Sequence, residues 1–365
     1  MRRFLYILVI SFCGLLAADN AFCCTSAIFS GKVTSDGRPI IWKNRDSDSI
    51  HNRVEKVEAG DGIKYSFLYL SNSKDEPKEA WSGVNSAGFS IMNTVSYNIR
   101  QEGDDTPESQ MDREGAVMYM ALASCTTLED FERMLDSLEK PMGLETNFGV
   151  IDSQGGAAYY EVNNYEWVKY DVNDAPEGYI IRSNYSFSGR PNEGKGYVRY
   201  ENASQLVKAR LESGRKIDVR FVIDGLSRSY YQSEFGENPL EDGKSFFVDR
   251  DFIPRKSSVA ATIVQGAGPG EDSSGCVFWC ALGYPPTSVI APIRFGEDIP
   301  DDYRAGAKDG HAAACDRSLQ LKKEVFSLNL GDGRRYVYFD KLRPIMKTIR
   351  EQEDKIFGDE AAQVR

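Results

Sequence analysis

The sequence predicts an α+β fold in which antiparallel sheets are covered by helices on their outer faces. The segment that follows an apolar N-terminal leader alternates like a β-hairpin, with a turn at residues 34–37. Strand-like segments continue through residue 187, and helical segments interrupt them without strict alternation. A doubly wound parallel sheet is therefore not favoured.

Strands are predicted where segments rich in β-branched and aromatic residues lie between turn residues. The hairpin strands are "CTSAIFSG" and "RPIIWKN", separated by "TSDG". Further strands are predicted within residues 65–71, 80–98, 146–172, 178–187, 257–265, 276–283 and 287–294.

Helices are predicted where apolar residues recur at helical spacing. These segments are residues 113–125, 127–140, 201–214, 217–227 and 341–362. Thr127, followed by Glu129 and Asp130, is typical of a helix start, and Gly214 is typical of a helix end.

The composition is that of a folded globular protein, with 41% hydrophobic and 27% charged residues over 365 residues. The net charge of −11 argues against nucleic acid and anionic membrane surfaces as partners. No segment after the leader approaches 18 consecutive apolar residues, so we expect no stable membrane insertion. We expect one domain over residues 24–365, and the sequence leaves a homo-oligomer open.

Residues 1–23 are predicted to be a signal peptide, because two arginines precede an apolar run too short to span a bilayer. A cut between Cys23 and Cys24 places Ala21 at position −3 and Cys23 at −1, which signal peptidase accepts. Cuts after Ala18 or Ala21 stay open. The leader predicts export to a periplasmic or extracellular location.

Five of the seven cysteines follow this cut, so one thiol is left over even if two disulfides form. Export permits disulfides, and Cys276 with Cys280 or Cys315 is a candidate pair. The spacing of Cys276 and Cys280 in a strand-like segment does not favour zinc there. The chain has two histidines, His51 and His311, and we expect both to be surface residues because their segments are polar.

Several catalytic motifs are missing from the sequence. It has no G-x-S-x-G elbow, P-loop, H-E-x-x-H motif or dinucleotide-binding fingerprint, and two histidines provide little material for a catalytic triad. A cysteine at a new N-terminus needs no histidine, because an α-amine with a pKa of ~8 can accept the proton of its own thiol. Cys24 becomes such a residue if the predicted cut is made.

Beyond these arguments, "CTSAIFSGKVTSDGRPIIWKNRD" resembles the start of the N-terminal-nucleophile hydrolases that cleave linear amides. These are the choloylglycine hydrolase and penicillin V acylase group, and the related acyl-coenzyme A:6-aminopenicillanic acid acyltransferase group. Later segments resemble the family in the same order: "NSAGFSIMNTVSYN", "GYIIRSNYSF", "GYVRYENA", "SSVAATIV" and "FWCALGYPPTSVIAPI". The resemblance covers most of residues 24–295 and implies a four-layer αββα sandwich of two antiparallel sheets between helical layers.

The resemblance also implies the roles of five residues. Cys24 falls on the nucleophile, and Asp46 falls on the aspartate that orients its amine. Asn93 and Asn184 fall on contributors to the oxyanion hole, and Arg199 falls on an arginine beside the site. The structural alternatives are a disulfide or core role for Cys24, turn roles for Asp46, Asn93 and Asn184, and a surface ion pair for Arg199.

Lys43 is a departure from the family, which usually has arginine at this position. Lysine supplies positive charge, which can lower the pKa of a thiol, but it lacks the planar fork of arginine. We expect Arg45 to supply a guanidinium only if the strand is shifted by two residues.

These features predict an exported hydrolase that cleaves a linear amide of a small molecule through a thioester on Cys24. No metal ion or organic cofactor is expected to be needed. A cysteine dipeptidase and an acyltransferase of the same superfamily stay open. A non-catalytic secreted binding protein is the alternative from another class, and Lys43 keeps it open.

Overall fold

Two large antiparallel β-sheets form the framework of the protein. The computed structural model describes residues 23–74, 79–268, 270–307 and 309–363, so the predicted signal peptide lies outside the described residues except for Cys23. The strands are β1 (Thr25–Phe29), β2 (Ile40–Asp46), β3 (Asn52–Val57), β4 (Phe67–Asn72), β5 (Ser82–Asn85), β6 (Ser90–Val95), β7 (Thr146–Ile151), β8 (Ala157–Val162), β9 (Trp167–Asp171), β10 (Tyr179–Arg182), β11 (Phe246–Val248), β12 (Ser258–Gln265), β13 (Val277–Leu282), β14 (Ile290–Arg294), β15 (Phe326–Leu328) and β16 (Arg335–Tyr338).

The strand order separates the two sheets. The six-stranded sheet has the order β10-β1-β2-β12-β13-β14, and the seven-stranded sheet has β3 to β9 in chain order. A smaller sheet has the order β11-β16-β15. The predicted hairpin is confirmed, because β1 and β2 pair antiparallel with Ser26 opposite Lys43.

Six α-helices lie among the described residues. They are α1 (Glu114–Ser124), α2 (Leu128–Ser137), α3 (Tyr197–Glu212), α4 (Val219–Phe221), α5 (Ala313–Val325) and α6 (Phe339–Gln363), and α4 continues as a π-helical segment, Val222–Ser227. The predicted start of α2 is confirmed, because the Thr127 side chain accepts a hydrogen bond from the Asp130 backbone N–H in a capping box. No helix among the described residues is long and apolar enough to cross a membrane.

Three hydrophobic clusters show the layers. Ile28 and Ile41 of the six-stranded sheet share a cluster with Met92 of the seven-stranded sheet, so the two sheets pack face to face. Phe131 of α2 belongs to a second cluster, on the outer face of the seven-stranded sheet. Val207 of α3 belongs to a third, on the outer face of the six-stranded sheet. The predicted four-layer fold class is therefore confirmed.

Strands β3, β11, β15 and β16 and helix α5 were not predicted from the sequence. Strand β3 reads "NRVEKV" and lies at a sheet edge with one face partly exposed, so its charged residues hide the strand pattern. Helix α5 follows the polar segment around His311, which the sequence analysis treated as a loop.

Candidate active site

Cys24 lies immediately before β1, at one wall of a cavity of about 360 Å³. Alternation along β1 places Cys24 on the same face as Ile28, which packs between the sheets. Cys24 is only 6% exposed, and its Sγ lies 3.8 Å from the backbone oxygen of Asp46. The cavity is lined by Cys24, Lys43, Arg45, Asp46, Ser47, Asp48, Ser49, Asn72, Glu79, Trp81, Asn93, Val95, Asp112 and Glu114. Four of the six residues predicted for the site thus share one cavity.

Lys43 points from β2 into this cavity as a buried cation. Its Nζ donates hydrogen bonds to Asn93 Oδ1 at 2.7 Å and to the Trp81 backbone oxygen at 2.9 Å. Burial lowers the pKa of Lys43 from 10.5 to about 8, although nearby Cys24 acts to raise it. Lys43 is therefore a cation at neutral pH that becomes neutral in mildly alkaline solution.

Arg45 lines the same cavity without any shift of the strand, so the expectation that a two-residue shift is needed was wrong. The reason is the period of a strand, which places Lys43 and Arg45 on one face of β2. Arg45 donates from Nη1 to Asn52 Oδ1 at 2.7 Å, and its guanidinium lies 4.8 Å from the centre of the Trp81 ring. The cavity therefore has both a lysine and an arginine on one wall.

Asp46 is buried and receives three hydrogen bonds on its carboxylate. Arg255 Nε donates to Oδ2 at 2.6 Å, Ser257 Oγ donates to Oδ2 at 3.0 Å, and Ser258 Oγ donates to Oδ1 at 2.7 Å. Arg255 Nη2 also lies 3.3 Å from the carbonyl oxygen of Cys23. Burial acts to lower the pKa of Arg255, but the Asp46 carboxylate raises it overall, so Arg255 stays charged. Arg255 thus links Asp46 to the peptide bond whose cleavage was predicted.

Asn93 lies on β6 of the seven-stranded sheet, whereas Cys24 precedes β1 of the six-stranded sheet, so the two residues line the cavity from different sheets. Its Oδ1 accepts from Lys43, and its Nδ2 donates to Thr146 Oγ1 at 3.2 Å. Glu114, at the start of α1, lines the same region, and burial raises its pKa from 4.5 to about 7. The carboxyl group of Glu114 therefore titrates closer to neutral pH than an exposed glutamate does, and at a lower pH than Lys43.

Asn184 and Arg199 lie behind Cys24 and are absent from the residues that line the cavity. Strands β1 and β10 pair with Ser26 opposite Arg182, and continuing this register places Asn184 opposite Cys24. Arg199 donates from Nη1 to the Cys24 carbonyl oxygen at 2.6 Å and to Thr25 Oγ1 at 2.7 Å. Its Nη2 donates to Asn184 Oδ1 at 3.0 Å, and Asn184 Nδ2 donates to the Val95 backbone oxygen at 2.8 Å.

A glycine makes room for this arginine. Gly196 precedes α3 with a positive φ of 81°, and a Cβ there would lie 2.1 Å from Arg199 Nη2. Arg199 is 1% exposed. The alternative that it forms an ion pair on the surface is therefore wrong. It holds the backbone at the start of β1 and the side chain of Asn184 in one network.

Sequence reasoning missed Arg255, because it lies in an irregular segment before β12 and matches no motif that we used. Nothing local distinguishes it from the other arginines, and only the pairing of β12 with β2 brings it to Asp46. The serines that follow it were noticed only as part of a strand. The late-strand segment "SSVAATIV" that carried the resemblance contains both of them.

The two histidines lie together, which the sequence did not indicate. Both side chains are partly exposed, as expected for surface residues, and their rings stack with centroids 3.7 Å apart. They meet because α5 follows the His311 segment and brings it against the loop after β2. The six described cysteines are all free thiols, so the candidate disulfides of Cys276 with Cys280 or Cys315 are not formed in this structure.

Comparison with known proteins gives matches among solved structures. No family model and no curated protein matches the chain. The N-acylethanolamine-hydrolyzing acid amidase ortholog of Caenorhabditis elegans is 17% identical with a TM-score of 0.47, covering 68% of this chain and 95% of that chain. A variant of the conjugated bile acid hydrolase from Clostridium perfringens is 13% identical with a TM-score of 0.45, covering 76% and 94%. Penicillin V acylase from Agrobacterium tumefaciens is 13% identical with a TM-score of 0.44, covering 75% and 87%.

The chain is thus similar in structure to an acid amidase, a conjugated bile acid hydrolase and a penicillin acylase. At these identities the likeness concerns the fold and does not extend to the substrate.

The buried lysine leads to a pH prediction. Since the pKa of Lys43 is about 8, its positive charge beside Cys24 is present below that pH and is lost as the pH rises through it. The α-amine of Cys24, with a pKa of ~8, becomes a free base over the same pH range, so we expect the alkaline fall of kcat/KM only at pH values above about 8, where Lys43 has lost its charge. The variant Lys43→Arg keeps the charge, because a guanidinium stays protonated, and should move this fall to higher pH.

Matched pH profiles test this prediction, with Lys323→Arg as the control because Lys323 is exposed on α5. The control should reproduce the parent profile. A Lys43→Arg profile that declines at the same pH as the parent would assign the alkaline limb to another group.

Proposed function

We propose that the protein is an exported hydrolase of linear amides whose nucleophile is Cys24, freed as the N-terminal residue by cleavage after Cys23. One observation carries the proposal. The Cys24 thiol lies at a cavity that also contains the cation of Lys43 and the amide of Asn93, while Arg255 joins Asp46 to the bond that must be cut. Among the described residues that line the cavity there is no histidine, so the α-amine is the base that this site offers.

In the proposed reaction the free α-amine of Cys24 takes the thiol proton, and the thiolate attacks the amide carbonyl. The tetrahedral oxyanion is stabilised by an amide hydrogen of Asn93, which lines the cavity. Asn93 Nδ2 carries two hydrogens and donates one to Thr146 Oγ1, so the second can serve the oxyanion, whereas Asn184 lies behind Cys24 and positions the start of β1 together with Arg199. One such donor contributes ~3–4 kcal/mol in comparable sites.

The C–N bond then breaks, and the α-ammonium returns its proton to the leaving amine. A water molecule attacks the thioester, gives a proton to the α-amine and releases the carboxylic acid, which restores the Cys24 thiol. Asp46 has the role of holding the α-amine, because Arg255 ties its carboxylate to the carbonyl of Cys23, next to the nitrogen that becomes this amine. Arg199 holds the Cys24 carbonyl and so positions the nucleophile.

The cavity argues for a small substrate with polar parts. Its volume of about 360 Å³ is at the lower end of ordinary ligand sites. Its charged lining contains two cationic residues, Lys43 and Arg45. It also contains five acidic residues, which are Asp46, Asp48, Glu79, Asp112 and Glu114. N-acyl amino acids, penicillin side-chain amides and dipeptides are the substrate classes that we would compare.

The experiment that tests the proposal begins with the intact mass of the secreted protein. A chain that begins at Cys24 is expected, and this chain should then hydrolyse at least one member of a panel of N-acyl amino acids, penicillins and dipeptides. A secreted chain that begins at Ala18, Asp19, Phe22 or Cys23 without later trimming contradicts the mechanism. A chain beginning at Cys24 that binds panel members but turns over none favours the non-catalytic binding protein.

A further inference from the structure

The two histidines of the chain meet at a carboxylate near the rim of the cavity. We call His51, His311 and Asp316 the His-His-Asp cluster. The imidazole rings stack with an interplanar angle of 14°, and their Nδ1 atoms lie 3.1 Å and 3.3 Å from the same oxygen, Asp316 Oδ1. These residues come from the loop after β2 and from the start of α5, which are far apart in the chain.

The backbone around the cluster is fixed by hydrogen bonds between these two segments. The Cys315 thiol donates to the Ile50 backbone oxygen at 3.4 Å and accepts from the Asn52 backbone N–H at 3.4 Å. Arg53 Nη1 donates to the Gly310 backbone oxygen at 3.2 Å. The neighbours of both histidines are thus held in place, which reduces the conformational entropy that a ligand must overcome.

The donors of the cluster suit a transition metal. One nitrogen of each imidazole and one oxygen of Asp316 lie within 4.8 Å of one another. In a tetrahedral zinc site with bonds of about 2.0 Å the donors lie about 3.3 Å apart, which the two Nδ1–Oδ1 distances of 3.1 and 3.3 Å already match. Because the rings are stacked, one imidazole has to turn so that both nitrogen lone pairs point at the same ion. The Asp316 side chain is 50% exposed and can turn, whereas the His51 and His311 side chains are 28% and 18% exposed. Two imidazoles and a carboxylate form a common ligand set for zinc, in which water takes the fourth position.

We propose that His51, His311 and Asp316 bind a divalent transition metal ion, and that zinc matches this donor set best. The ion occupies the space between the two imidazoles and the carboxylate, and it is separate from the residues that carry the proposed hydrolysis. Coordination of the ion replaces the contacts of the two imidazoles with Asp316, and it connects the loop after β2 to α5 through metal–ligand bonds.

This link bears on the rim of the cavity. Asp48 and Ser49 of the loop line the active-site cavity, and together with His51 they also line a neighbouring cavity of about 240 Å³. A bound ion fixes this loop against α5. Since the ion binds the folded state and not an ordered site in the unfolded chain, it also raises the free energy of unfolding.

The test uses the mature protein with Cys24→Ala, so that the cavity thiol cannot bind the added metal. Zn²⁺ is titrated by calorimetry, and Co²⁺ is added as a spectroscopic probe of coordination. His51→Ala, His311→Ala and Asp316→Asn are made in this background. Asp302→Asn is the matched control, because Asp302 is an aspartate of similar exposure, 54%, that pairs with Arg317 at 2.7 Å on the same face.

We expect one Zn²⁺ per chain, tetrahedral Co²⁺ absorption, and a rise in melting temperature with Zn²⁺. Each histidine variant should weaken binding by about 100-fold or more and lose the rise, while Asp316→Asn should weaken it by at least about tenfold. The control should bind as the parent does. No saturable binding at about 1 mM metal overturns the proposal, and so does equal binding by the parent and Asp316→Asn. Because Asp316 is half exposed, that variant tests the proposal even if a histidine variant does not fold.

Discussion

Replacement of Cys24 by alanine is expected to reduce kcat/KM for amide hydrolysis by at least about 10⁴-fold. The reason is that the thiol is the proposed nucleophile, and no other thiol lies among the described residues that line the cavity. The fold should persist, because the change removes one sulfur atom from a small side chain. Steady-state kinetics on the best amide of the panel measure the loss, and circular dichroism checks the fold.

The matched control for this variant is Cys125→Ala. Cys125 is also buried, with 2% of its surface exposed, but it packs in the outer core beneath α1 and α2. Burial raises the pKa of its thiol to about 12, so it is not a reactive group at neutral pH. We expect the control to keep the activity of the parent. A Cys24→Ala protein with comparable turnover would exclude Cys24 as the nucleophile.

The variant Asp46→Asn is expected to reduce kcat/KM more than any other substitution considered except Cys24→Ala. It keeps the size of the side chain but removes the charge that Arg255 pairs with at 2.6 Å. We expect a loss of about 10³-fold in kcat/KM, because the α-amine loses the carboxylate that holds it. The free energy of unfolding should also fall by about 3 kcal/mol, since a largely buried guanidinium is left without its partner.

Asp152→Asn separates these two effects. Asp152 is as buried as Asp46, at 3% against 4% exposed, and its carboxylate accepts from the backbone N–H groups of Leu128, Gln154 and Gly156. Its replacement should lower stability without lowering kcat. If Asp46→Asn loses stability but keeps kcat, the carboxylate has a structural role only. Urea unfolding and kinetics below the melting transition provide both quantities.

Local patterns were enough to predict most of the fold. The hairpin of β1 and β2, the strands from β4 to β10 and the start of α2 follow from alternation, turn residues and a capping box, which act over a few residues. The elements that were missed have weak local signals. Strand β3 carries charge on an edge, and the strands of the small sheet have only three or four residues each.

The residues of the candidate site also differ in how far the local sequence indicated them. Cys24, Lys43 and Asp46 lie within one hairpin, so a short motif indicated them together. Asn93 and Asn184 were carried over by resemblance, and the structure places one of them in the cavity and the other behind Cys24. Arg45 was misjudged by an argument about strand register, although the two-residue period alone places it beside Lys43.

Sequence order alone was sufficient for the class of fold and for the position of a thiol that cleavage would turn into an N-terminal nucleophile. Tertiary structure alone decided which charges surround that thiol. Arg255, Glu114 and the pair of His51 with His311 reach the region from distant segments, through strand pairing and helix packing. The pKa values of Arg255 and Glu114, and the contacts of all four residues, depend on burial and on neighbours in space, which no local pattern encodes. The candidate nucleophile is therefore indicated by the four consecutive residues "FCCT", whereas the charged groups around it come together only when the two sheets pack against each other.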